Sequence, residues 1–218
     1  MTTNSSQYAL FQPHNLPEKL TLPNGIALIR RAFDSAGIFD AINAVVTATP
    51  FRHMVTPSGK KMSVAMTNCG DFGWTSSRAG YAYSPIDPET KQAWPAMPPL
   101  LFATATRIAQ QAGYLNFTPD ACLINRYSPG AQMGLHQDRD EKDFSQPIVS
   151  LSLGLSASFI IGGAKRSDPT QTIQLNDGDA IVFGDGARLL FHGVRPLKAG
   201  YRRLLGEARI NLTFRVAN

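Results

Sequence analysis

Apolar positions along this chain change period once. Over FDSAGIFDAINAVVTATP, Phe39, Ile42 and Val45 or Val46 recur at helical spacing and share a face. Asp34 or Ser35 is placed to cap the first turn, and Pro50 stops the pattern. LLFATATRIAQQAGY, which begins after Pro98, reads as a second helix ended at Gly113. Between them, positions 51–99 are polar, aromatic and rich in glycine and proline. The segments MSVAMTNCG and GWTSSRAGYAYSP in that region alternate in the manner of hairpin strands. Ahead of the first helix, LTLPNGIALIRR is strand-like. Beyond Gly113 the period becomes two: ACLINRY, PIVSLSLGLSASFII, QTIQLNDGDAIVF, RLLFHGV and RINLTFRV are short alternating runs separated by turn residues. Roughly six to eight such strands predict a closed antiparallel sandwich or jelly roll.

Composition narrows the class without naming a chemistry. Of 218 residues, 43% are hydrophobic and 17% charged, the balance of a foldable globular chain. That length suits one domain with a full core. A net charge of +5 suits a polyanionic partner. Cys69 and Cys122 have neither the number nor the spacing of a disulfide framework or a zinc site. MTTNSSQYALFQPHNLPEKL lacks a basic region followed by an apolar one, so no secretory signal is read there. No apolar run reaches the roughly 18 residues of a membrane span. A soluble, cytoplasmic, monomeric protein with reduced thiols is expected.

The candidate chemistry gathers in GLHQDRDE, residues 134–141. In a strand, positions i and i+2 share a face, so His136 and Asp138 should stand side by side with Gln137 turned away. A polar pair at a strand end explains this as simply as a ligand pair does, unless a third ligand exists. His14 and His53 lie outside the barrel strands, whereas His192 ends the apolar run ARLLFHG. Two histidines and one carboxylate form the facial triad that holds iron(II) and leaves adjacent positions open. A structural zinc site would want a fourth protein ligand.

In RINLTFR, Arg209, Asn211, Thr213 and Arg215 share one face, with Ile210, Leu212 and Phe214 on the other. Such a polar face is either solvent-exposed or, if it points into a barrel, in need of an anion. Guanidinium forks bind carboxylates in bidentate fashion. Asn125 and Tyr127 in LINRY share a face by the same rule, with Arg126 opposite.

LINRYSPG, LHQDRDE, FHGV and RINLTFR, in that order, resemble the AlkB family of iron(II)- and 2-oxoglutarate-dependent dioxygenases. MSVAMTNCG, GWTSSRAGYAYSPIDP and GGAKRSDP extend the resemblance over about residues 50–216. It implies a mainly β fold with flanking helices, a double-stranded β-helix (jelly-roll) barrel with an N-terminal nucleotide-recognition lid. Residues 1–97 would form the extension and lid, and 98–218 the helix and dioxygenase core of a single catalytic unit.

The resemblance implies iron ligation by His136, Asp138 and His192. It implies 2-oxoglutarate binding by Asn125, Tyr127, Arg209, Asn211 and Arg215, with dioxygen as the second cosubstrate. Trp74, Tyr81, Tyr83, Asp140 and Arg166 would contact the substrate. Gln132 departs from the family pattern, which has a basic residue there. The implied activity is oxidative demethylation of bases of the 1-methyladenine and 3-methylcytosine type, with release of formaldehyde. Single-stranded DNA is the expected partner, with RNA and duplex DNA bearing a flipped base as further candidates.

A cationic methylated base suits the aromatic face of Trp74 and the carboxylate of Asp140. Lys60, Lys61, Arg78, Lys165 and Arg166 are candidate phosphate contacts. The alternatives are an iron(II)/2-oxoglutarate hydroxylase of a small molecule or protein, and a catalytically inactive nucleic-acid-binding module.

Overall fold

The computed structural model describes residues 17–218; His14 and most of the stretch read for a secretory signal lie outside them. In chain order the strands are β1 (Glu18–Thr21), β2 (Ala27–Arg30), β3 (Ala65–Gly70), β4 (Gly73–Ser77), β5 (Gly80–Ser84), β6 (Ala121–Tyr127), β7 (Met133–His136), β8 (Ile148–Gly154), β9 (Ala157–Ile161), β10 (Gln171–Leu175), β11 (Ala180–Phe183), β12 (His192–Val194) and β13 (Arg209–Arg215). The helices are α1 (Ser35–Ala48) and α2 (Pro99–Ala112).

Both helices begin and end where local chemistry dictates. The Asp34 side chain accepts a hydrogen bond from the Gly37 N–H at 3.4 Å, and Ile38, Ile42 and Val45 are buried along one face of α1. Pro99 occupies the first turn of α2, where a missing N–H costs nothing. Gly113 closes the helix at φ 112°, a left-handed conformation that a β-carbon would strain.

Two antiparallel sheets make the jelly roll. The major sheet runs β1-β2-β11-β8-β13-β6-β3 and the minor one β10-β9-β12-β7. Apart from its exposed edge strand β1, the major sheet is largely buried on both faces. One face, with Val149, Leu151, Ile210, Leu212 and Phe214, packs against α1 and α2 in the larger core. The other contributes Leu123, Ile148, Ile181 and Phe183 to a second core, shared with Phe159 and Ile161 of the minor sheet. Period-two alternation therefore separates two apolar environments, and polar positions on the inner face are enclosed too.

Two sequence expectations change. MSVAMTNCG supplies β3, which pairs with β6 as the edge of the major sheet; only β4 and β5 form the separate hairpin. Strands β1, β2 and β3, from the N-terminal part of the chain, are hydrogen-bonded into the major sheet. RLLFHGV also yields a strand of only His192–Val194, because Asp185–Ala187 form a 3-10 turn ahead of it.

Ile42 is 1% exposed where α1 meets the larger core. Ile42→Val removes one buried methyl group and should cost about 0.5–1.5 kcal/mol, read by urea denaturation. An unchanged midpoint would mean that α1 does not seal this core.

Candidate active site

The inner faces of β6, β8 and β13 carry Asn125, Ser150, Asn211, Thr213 and Arg215 into a cavity of about 330 Å³. The opposite wall brings His136 from the end of β7 and His192 from the start of β12. These two residues are partners in the sheet register. Gly193 permits that pairing, since a β-carbon there would lie 2.7 Å from the Met133 carbonyl oxygen.

Asp138 completes the group. One ligand atom from each of His136, Asp138 and His192 lies within 4.8 Å of the others. The two Nε2 atoms are 3.7 Å and 3.8 Å from the Asp138 carboxylate oxygens. Each Nδ1 faces a backbone carbonyl, Gly134 O at 2.9 Å for His136 and Leu190 O at 3.0 Å for His192. A carbonyl oxygen only accepts, so each Nδ1 carries the proton and each Nε2 keeps a lone pair aimed at the centre. Two imidazoles and one carboxylate at this spacing fit an iron(II) ion with open positions.

The route to this geometry differs from the sequence argument. Strand β7 ends at His136, so Asp138 and Asp140 are not successive members of one strand face. Gln137 instead donates through Nε2 to Leu189 O at 2.6 Å, tying this segment to the one that leads into His192.

The two arginines of β13 have different surroundings. Arg215 donates through Nη2 to Asp138 Oδ2 at 2.7 Å. Its Nε lies 3.1 Å from Glu141 Oε1, an ion-pair distance without hydrogen-bond alignment. Burial would raise the Asp138 carboxyl, but Arg215, His192 and His136 outweigh it and hold the group well below the usual carboxylate range. Arg209 is 1% exposed and lies over the Tyr127 ring at 5.1 Å. Its Nη2 donates to Ser152 Oγ at 3.0 Å, while Nε and Nη1 have no hydrogen-bond partner among the described residues. Asn125 Oδ1 is likewise buried and unpartnered. Arg209 is not itself part of the cavity lining; it lies behind Tyr127 and next to Asn211, both of which line it. Unpaired donors at that wall fit a carboxylate ligand.

At the hairpin, Asn68 holds the Trp74 backbone through two hydrogen bonds of 3.0 Å. Trp74 stacks on Tyr81 at 5.4 Å and donates through Nε1 to Asp140 Oδ2 at 2.8 Å. Trp74, Tyr81, Asp140 and Arg166 all line the cavity that contains the three ligand candidates. Arg166 also donates to Leu135 O at 2.5 Å and lies over Phe191. Tyr83 is not part of the lining: its hydroxyl donates to Glu141 Oε1 at 2.6 Å. Lys60, Lys61, Arg78 and Lys165 are exposed. The Gln132 N–H donates to Ser63 Oγ at 3.1 Å.

Sequence reasoning missed Glu141 and Arg188. Glu141 is 6% exposed and receives Tyr83 and Arg188, with Arg215 alongside. The available signal was an arginine within the otherwise apolar ARLLF.

Comparison with known proteins agrees with this geometry. A model of the 2OG-Fe(II) oxygenase superfamily matches residues 25–215. The alpha-ketoglutarate-dependent dioxygenase AlkB of Escherichia coli (strain K12) is 54% identical over 203 residues, 92% of this chain and 94% of that protein. The DNA N(6)-methyladenine demethylase ALKBH1C of Arabidopsis thaliana is 42% identical over 108 residues, 44% of this chain and 24% of that protein. The solved structure of OsALKBH1 superposes with a TM-score of 0.78 at 26% identity, covering 91% of this chain and 100% of that one.

Burial, and then the neighbouring His136, push the His192 imidazole down to about 4. The unfolded imidazole titrates near 6.5, so between those values the unfolded state holds a proton that the folded state lacks. Stability of the metal-free protein should be fully present above about pH 6.5 and fall toward pH 4. For one proton the slope is at most about 1.4 kcal/mol per pH unit. Urea denaturation of wild type and His192→Gln across this range checks it: the variant should show the shallower dependence, and equal slopes would contradict the assignment.

Proposed function

Because this chain belongs to the AlkB family of 2-oxoglutarate- and iron(II)-dependent oxygenases, we propose that it oxidatively demethylates N-alkylated bases of the 1-methyladenine and 3-methylcytosine type, with single-stranded DNA as the preferred substrate. One observation carries the reading. A single cavity is lined by the His136–Asp138–His192 group, by Asn125, Tyr127, Asn211 and Arg215, and by Trp74, Tyr81 and Asp140. Metal, anion and flat-cation chemistry thus meet in one enclosed space.

His136, Asp138 and His192 would hold the iron, which with 2-oxoglutarate and dioxygen supplies the oxidising power to hydroxylate an N-methyl group, so that formaldehyde is lost. The remaining residues bind and orient. Arg209 is the fork for the distal carboxylate of 2-oxoglutarate, since two of its nitrogens are buried without partners. Asn125, Tyr127 and Asn211 line the cavity beside the metal group, and Arg209 lies over the Tyr127 ring. Arg215 keeps Asp138 ionised and oriented. Trp74 offers its face to a cationic base, and Asp140, already held by Trp74 Nε1 at one oxygen, has the other for an exocyclic amine. The alkylated nucleotide must leave its stack to enter, which is cheapest in single strands. The hairpin β4–β5 and the segments around it form the nucleotide-recognition lid, and exposed Lys60, Lys61, Arg78 and Lys165 suit backbone phosphates.

The test is mass spectrometry of oligonucleotides carrying 1-methyladenine, 3-methylcytosine or 1-methylguanine, after incubation with iron(II), 2-oxoglutarate and ascorbate. Wild type should remove the methyl group and His192→Ala should not. Asp140→Ala removes the acceptor for the exocyclic amine, at about 1–3 kcal/mol, or roughly 5- to 150-fold in efficiency on the two cationic lesions. Neutral 1-methylguanine should lose much less. Retention of every methyl group by wild type would overturn the function. Equal losses on all three lesions in Asp140→Ala would remove Asp140 from base reading.

A further inference from the structure

One buried cation is explained by neither the metal ligands nor the cosubstrate wall. Arg188 follows the 3-10 turn Asp185–Ala187 and is 4% exposed. Its Nη1 donates to Asp138 O at 2.6 Å, Nη2 to Glu141 Oε2 at 2.9 Å and Nε to Gln146 O at 3.0 Å. Phe144 lies against the guanidinium, 5.3 Å from Cζ to the ring centroid.

All four partners lie on the segment 138–146, which contains no strand. Arg188 itself stands four residues ahead of His192. A side chain from the segment leading into one ligand candidate therefore grips the segment that carries another. The grip also reaches the hairpin. Glu141 accepts from Tyr83 and sits beside Arg215, which holds the Asp138 carboxylate.

We propose that Arg188 is a positioning residue for the metal centre: it sets the approach of Asp138 to His192 and, through Glu141, couples the position of the hairpin to that of Asp138. This rests on the reading of His136, Asp138 and His192 as metal ligands. The physical reason is the planar fork. Three acceptors in three directions are satisfied at once by a guanidinium, whereas an ammonium on a flexible stem cannot hold the same set. A loosened partner leaves a buried oxygen unsatisfied and frees the Asp138 backbone to turn. Groups that orient metal ligands in this way typically change metal affinity 10- to 100-fold when altered.

The test compares wild type, Arg188→Lys, His192→Ala and Ile42→Val, the last as a core substitution remote from these segments. Metal-free protein is titrated with cobalt(II) and followed by visible absorption, with thermal melting by far-UV circular dichroism. Succinate formed per formaldehyde released is measured on a 1-methyladenine oligonucleotide. Arg188→Lys should keep the wild-type circular dichroism spectrum, bind cobalt(II) roughly 10- to 100-fold more weakly and form more succinate per formaldehyde. Ile42→Val should change neither the affinity nor the ratio. Wild-type affinity and ratio in Arg188→Lys would overturn the inference, as would an equal loss of affinity in Ile42→Val. Should Arg188→Lys not fold, Arg188→Gln, which keeps two donors, is read by the same outcomes. Unchanged cobalt(II) binding in His192→Ala would instead overturn the ligand assignment, so the two failures are distinct.

Discussion

Arg209 lies on β13, an interior strand of the major sheet, with 1% of its surface exposed, and two of its nitrogens find no partner among the described residues. A charge in that position is costly, because burial favours the neutral form and each unsatisfied donor forfeits its bond to water. Strand β13 lies between β6 and β8 and its outer face is already committed to Ile210, Leu212 and Phe214. Its inner face, Arg209, Asn211, Thr213 and Arg215, is polar and buried within the barrel. An anion bound beside Arg209 would relieve this cost.

The second arginine of the same face shows the alternative outcome. Arg215 is paired within the chain with Asp138, and its Nε lies at ion-pair distance from Glu141; its pKa is raised above the ordinary value although burial alone would lower it. One strand thus presents two cations with separate uses. Arg215 holds the Asp138 carboxylate ionised, and Arg209 keeps two buried nitrogens without a partner among the described residues.

Much of this was legible in the chain because burial on both faces of a sheet leaves a period-two imprint. The polar and apolar faces of β13, the opposed Asn125 and Arg126, and the capped ends of α1 and α2 could all be read locally. What local pattern could not supply was pairing over distance. MSVAMTNCG alternates whether it joins a hairpin or a sheet edge, and only its register with β6 decides. His136 and Asp138 are indeed close, but through a turn held by Arg188 and Gln137 and not through strand geometry. Glu141 looked like part of a solvated charge run, since its burial depends on Tyr83, Arg188 and Arg215, residues 58, 47 and 74 positions away along the chain.

Thermal denaturation with 2-oxoglutarate tests whether buried Arg209 takes a dicarboxylate. The protein is loaded with manganese(II), which does not turn over, and titrated as wild type and as Arg209→Met. Free ligand at about 100 times its Kd should stabilise wild type by about 2.7 kcal/mol. Arg209→Met should melt no lower than wild type without ligand, because a buried unpaired charge has been removed, and should gain little from 2-oxoglutarate. Equal stabilisation of the two proteins by 2-oxoglutarate would contradict the account.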